Sequence, residues 1–109
     1  MNLRLLPRKP AATGARTNEV RVRVLDGYSP DTIRAEAGVP LRIVFRRVES
    51  APCSEQVVFP AFGKSATLPR GENVAVDLLP TEPGEYEFTC RMGMLRGTLV
   101  VEPSREVSA

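Results

Sequence analysis

Apolar residues recur at every second position in short runs along this chain, and no stretch of useful length carries them at helical spacing. Val20, Val22 and Val24 alternate with Glu19, Arg21 and Arg23, and Leu41, Ile43 and Phe45 share one face of the run that ends at Arg47. Side chains two apart on an extended backbone lie on the same side, so such runs predict strands with one face buried. The pattern predicts strands over residues 19–26, 32–36, 41–47, 56–60, 74–78, 85–90 and 97–101, with a weaker one over 62–68 that is irregular at Gly63. The ten prolines and eight glycines fall mostly between these runs, as in Gly27–Asp31, Gly38–Pro40, Pro69–Asn73 and Thr81–Gly84, which are read as turns. About eight short strands with turn residues every 8–12 positions predict an all-β fold, a sandwich or small barrel.

A chain of 109 residues is one domain by length and buries roughly 65% of its unfolded surface, enough for a single core. Residues 1–18 hold Arg4, Arg8, Lys9 and Arg16 without an acid, a charge of +4 against a total of +2, so the remainder carries −2. The expected organisation is a basic, unstructured tail over 1–18, a folded domain over 19–103 and a short C-terminal tail over 104–109. A negative domain with six aromatic residues is not the basic, stacking surface of a nucleic-acid binder. No apolar run reaches the ~18–20 residues of a membrane-spanning helix, so no membrane span is expected. Two cysteines and no signal-peptide pattern suggest a reducing, cytoplasmic setting.

Histidine is absent, which removes Ser-His-Asp and Cys-His nucleophiles, histidine acid–base work and histidine metal sites. No glycine-rich phosphate loop opens a helix. Nothing in the sequence requires an enzyme. The chemistry concentrates in sulfur. Tyr86 and Phe88 fall on one parity, and Cys90 continues it towards the buried face. If the backbone stays extended, Met92 and Met94 project on the same side as Cys90, with Gly93 and Gly97 letting the chain approach whatever the sulfurs hold. A second group, Cys53-Ser54-Glu55, lies 37 residues earlier, and an extended backbone there puts Cys53 and Glu55 on one face. Two thiolates, two thioethers and a carboxylate form a soft donor set that selects Cu(I), whereas zinc does not take thioethers. Two other roles fit the same residues: buried cysteines and gap-filling methionines in a core, or a Cys53–Cys90 disulfide.

The segment from Pro83-Gly84-Glu85-Tyr86-Glu87-Phe88-Thr89-Cys90 to Gly97-Thr98-Leu99-Val100-Val101 resembles the last strand, ligand loop and closing strand of a cupredoxin. Val20–Asp26, Gly27-Tyr28-Ser29-Pro30-Asp31-Thr32-Ile33 and Gly38-Val39-Pro40-Leu41 resemble the opening of plastocyanin-like domains, so the likeness spans about residues 19–102. It implies a cupredoxin-like Greek-key β-sandwich. Cys53 stands where blue-copper proteins have their first histidine, and no histidine follows Cys90. The Cys-x-Glu … Cys-x-Met-x-Met pattern is instead similar to the cupredoxin-fold Cu(I)-binding domains of bacterial copper resistance. That group includes a membrane-anchored streptococcal copper chaperone and N-terminal domains of copper-exporting P-type ATPases.

The resemblance implies one or two Cu(I) ions per chain, with Cys53 and Cys90 as bridging thiolates. Glu55 would be a further ligand, and Met92 and Met94 would complete a second, weaker position. It implies a soluble copper chaperone or buffer, monomeric, whose partner is a copper-exporting P-type ATPase or another copper acceptor. The alternatives are a cupredoxin that transfers electrons, or a metal-free β-sandwich interaction domain closed by a disulfide.

Overall fold

A computed structural model describes residues 18–104; the expected basic tail, apart from Asn18, and all but Ser104 of the expected C-terminal tail lie outside the described residues. Nine strands and no α-helix make up the described part. In chain order they are β1 (Asn18–Val24), β2 (Tyr28–Ser29), β3 (Thr32–Glu36), β4 (Leu41–Arg47), β5 (Gln56–Phe59), β6 (Lys64–Thr67), β7 (Asn73–Leu78), β8 (Gly84–Cys90) and β9 (Arg96–Glu102). The predicted strands are all present. The ninth, β2, is a two-residue strand inside the stretch read as a turn, where Tyr28 pairs with Val24. β5 stops at Phe59 because a 3₁₀ turn follows over Pro60–Phe62, ended by Gly63 in the left-handed region at φ 62°.

The strands form two sheets, one in the order β2-β1-β4-β7 and one in the order β3-β9-β8-β5-β6. Each mixes directions: β1 runs parallel to β4 and β3 parallel to β9, while the other neighbours are antiparallel. Alternation decides which faces meet. Val22 and Val24 of β1, Leu41, Ile43 and Phe45 of β4, and Val76 and Leu78 of β7 are buried from one sheet. Ile33 and Ala35, Val57 and Phe59, Phe88, and Leu99 and Val101 are buried from the other. The outward face of the first sheet carries charge instead, with Arg42 bonded to Asp77 of β7 at 2.8 Å.

Aromatic rings bind the two sheets at the centre. Phe88 stacks on Phe59 with ring centres 5.1 Å apart and meets Phe45 edge-on at 6.2 Å. Burying each such ring stabilises the fold by about 1.5–3 kcal/mol. Gly97, opposite Phe88 across the β8–β9 ladder, leaves room for that ring: a Cβ there would stand 2.2 Å from Cζ of Phe88. The sequence assigned Gly97 to the sulfur loop, but its task is to accommodate the core. Among the described residues no helix is long and apolar enough to cross a membrane.

Candidate metal centre

The inward parity of β8 runs through Phe88 to Cys90, the last residue of the strand, which is 1% exposed. There the chain turns. The Gly93 N–H donates to the Cys90 carbonyl at 2.9 Å, and the Cys90 N–H donates to the Leu95 carbonyl at 3.1 Å. Gly93 takes φ 75°, a left-handed conformation that a side chain disfavours. Arg96 braces the turn through its Nε–H, which donates to the Gly93 carbonyl at 3.3 Å, and pairs with Glu87 at 3.5 Å. The folded loop aims two amides at the cysteine: Met94 and Leu95 donate N–H bonds to Cys90 Sγ at 3.2 and 3.4 Å.

This turn overturns the expectation of an extended chain beyond Cys90. Met92 and Met94 do not continue the inward parity; they are 69% and 72% exposed. Met92 nonetheless borders an open cavity of about 380 Å³ with Pro52, Cys53, Glu55, Gln56 and Arg91. Met94 is not part of that lining.

Cys53 also departs from extended backbone. It lies in a 3₁₀ turn over Pro52–Glu55, with Pro52 supplying the fixed φ that suits a helical start. With about three residues per turn, positions two apart diverge, so Cys53 and Glu55 do not share a face as a strand would have required. They share the rim of the cavity instead. Among the described residues no three Cys, Asp, Glu or His side chains gather as a metal-holding group, so Glu55 does not close on the two thiols.

The thiols themselves do meet. Cys53 Sγ and Cys90 Sγ are 2.8 Å apart, both cysteines free, one half-buried and the other buried. The hydrogen bond to Cys90, with burial behind it, holds the Cys53 thiol above the ordinary value. Burial pushes Cys90 upwards as well, but the bond from Cys53 and the amides of Leu95, Met94 and Met92 together outweigh it and leave Cys90 lowered. Cys90 is thus the sulfur prepared to carry negative charge, first by the bond from Cys53 and then by the loop amides.

Two residues that sequence reasoning passed over complete the setting. Arg47 continues the inward parity of Leu41, Ile43 and Phe45, yet its side chain is an arginine, 7% exposed. Its Nε–H donates to Ser54 Oγ at 2.8 Å, and its two terminal nitrogens donate to the carbonyls of Leu68 and Ala51 at 3.0 Å each. The guanidinium therefore ties the Cys53 turn to the sandwich. A cation at an apolar strand position was the signal available in the sequence. Tyr28 is the second, buried at 5% exposure in what was read as a turn; burial, and then the charge of Cys90 and Cys53, pushes its hydroxyl far above the usual tyrosine range.

Soft donors dominate the end of the sandwich: two thiols in contact, a thioether beside Cys53 and no imidazole. A monovalent soft cation fits this set, since Cu(I) accepts thiolate and thioether ligands at low coordination. A two-sheet β-sandwich of mixed strand directions, with a cysteine closing the strand before the last, points to a class, the cupredoxin-like proteins. Residues 3–101 match the cupredoxin-like domain family, and the chain belongs to it.

Solved structures agree. The chain is 45% identical to a copper-binding protein whose solution structure was determined in the apo form, with a TM-score of 0.76 over 79% of this chain and 88% of that one. It is 26% identical to the metal-binding domain of the Streptococcus pneumoniae Cu(I)-exporting P-type ATPase CopA, solved with Cu(I); the TM-score is 0.78, over 84% of this chain and 90% of that one. Reduced auracyanin from Roseiflexus castenholzii shares the fold alone, at 13% identity and a TM-score of 0.66 over 79% of this chain and 98% of that one. No curated protein matches the chain.

Proposed function

We propose that this protein binds Cu(I) and acts as a copper chaperone or buffer in copper homeostasis, without catalytic chemistry of its own. The observation that carries the reading is the contact between Cys53 and Cys90, 2.8 Å apart at the end of a cupredoxin-like sandwich. Resemblance to a copper-binding protein and to a Cu(I)-loaded exporter domain supports it.

The cargo enters from the open cavity, where Met92 and Glu55 flank Cys53. Cys53 and Cys90 hold it as thiolates, their protons passing to solvent as sulfur–copper bonds form. The Met94 and Leu95 amides stay on Cys90 Sγ and offset its charge. Met92 and Met94 are exposed, weak and exchangeable donors, suited to taking a copper ion from a donor or handing it to an acceptor by stepwise ligand exchange. One ion between the thiolates is the primary load; a second would rest on the methionines, with Glu55 as a supplementary ligand. The acceptor is a copper-exporting P-type ATPase or a protein of like chemistry, in a reducing, cytoplasmic setting where both thiols stay free.

The test is anaerobic Cu(I) titration of the reduced protein against a competing Cu(I) chelator, with Cys53→Ser and Cys90→Ser alongside. The expected result is tight uptake of one or two ions by the wild type and its loss in both variants. A wild-type protein that cannot compete with the chelator would overturn the reading.

A further inference from the structure

Tyr28 places a hydroxyl in the core with no hydrogen-bond partner among the described residues. Its ring is seated on Phe88 and Phe45, at centre-to-centre distances of 5.0 and 6.0 Å, and only 5% of the residue is exposed. A buried donor without an acceptor is destabilising, and phenylalanine would fill the same space without that cost. Packing therefore accounts for the ring and not for the oxygen.

The position of the ring suggests what the oxygen is for. Phe88 precedes Cys90 by two residues on the inward face of β8, so Tyr28 rests on the strand face that ends in the thiol. Val24 pairs with Tyr28 on one side and with Arg47 on the other, and the Arg47 guanidinium holds the Cys53 turn, so Tyr28 stands at the end of the sandwich that carries both sulfurs. In the thiol form the sulfurs satisfy each other, and Cys90 Sγ also receives the Met94 and Leu95 amides. Loading with a soft monovalent cation removes both S–H protons to solvent without any change of oxidation state. Two anionic sulfurs then present more lone pairs than the loop amides satisfy. Among the described residues the one buried side-chain donor left over is on Tyr28.

We propose that Tyr28 is a positioning residue of the metal centre, its hydroxyl donating a hydrogen bond to the Cys53–Cys90 thiolate pair in the loaded protein. The proposal rests on the Cu(I) reading above. It makes the unpaired hydroxyl a feature of the empty state, one that favours loading because loading supplies its acceptor.

Tyr28→Phe separates this role from packing. Stability of the copper-free protein by urea denaturation is expected to hold or rise, while Cu(I) affinity in chelator competition falls at least about tenfold, as a lost bond to a charged acceptor requires. Carbon-13 labelling at tyrosine Cζ gives an independent readout, since the chain has only two tyrosines. Tyr28 should shift on Cu(I) loading, and Tyr86, whose hydroxyl donates to the Glu82 carbonyl at 2.7 Å, should not. Equal Cu(I) affinity in wild type and Tyr28→Phe overturns the proposal, as does an unmoved Tyr28 signal. Parallel loss of copper-free stability and affinity marks a packing role and overturns it too. Failure of the wild type to take up Cu(I) is a different result: it removes the metal reading itself.

Discussion

Arg47 shows how much one side chain contributes to placing Cys53. It occupies the strand position that Leu41, Ile43 and Phe45 fill earlier with apolar groups, and it donates to Ser54, Ala51 and Leu68 on the loops beyond. Replacing it with alanine strips hydrogen-bond donors from two backbone carbonyls and a serine hydroxyl. Arg47→Ala is expected to cost about 3 kcal/mol in urea denaturation and to weaken Cu(I) binding, because the turn bearing Cys53 loses its tether. Arg47→Met, which keeps the bulk, should recover packing but not the metal affinity. The methionines make the opposite case. Exposed as they are, Met92→Ala with Met94→Ala should leave stability within about 0.5 kcal/mol of wild type. The same pair should slow Cu(I) transfer to a chelator followed by stopped flow; unchanged stoichiometry and transfer rate would remove the loop from the mechanism.

Strands were legible because each has one buried face, and the two sulfur-bearing loops were not because turns replace the extended backbone on which alternation depends. Alternation in β1, β4, β7 and β8 survives in the structure almost residue by residue. Past Cys90 the same alternation misleads: Met92 and Met94 keep the parity in sequence, but the Gly93 turn breaks the backbone that would have given parity a meaning. The 3₁₀ turn at Cys53 is tied by Arg47 to Ala51 and Ser54, and the arginine at an apolar strand position was its one signal, which alternation alone passes over. The two thiols were identified as a pair from donor chemistry and family resemblance, and the structure brings them together. Glu55 was placed by an assumed strand, and it reaches only the cavity rim. At the level of β8 and β9, Gly97→Ala drives a methyl group into the Phe88 ring and is expected to cost about 3 kcal/mol, seen as a lower midpoint in thermal unfolding.

Acid sensitivity belongs to the sandwich as a whole. The Asp77 carboxylate is held below its usual range by the hydrogen bond from Arg42, and that of Glu49 by the Asp26 amide and then by Ser54. A carboxylate whose native pKa is depressed stabilises the fold above its unfolded value and loses that contribution as pH falls through the native one. Melting temperature should therefore decline below about pH 4, and Asp77→Asn with Glu49→Gln should flatten the decline. A profile as steep in the double variant as in the wild type would assign the acid sensitivity elsewhere. The topology sets a different kind of limit. β9 lies inside its sheet, between β3 and β8, so residues 96–102 must leave the ribosome before that sheet can close. Until then β3 lacks its neighbour and β8 lacks one of its two, and the loop that ends at Leu95 has no second strand to turn into. The loop that aims its amides at Cys90 Sγ is therefore among the last features of the sheet to be fixed.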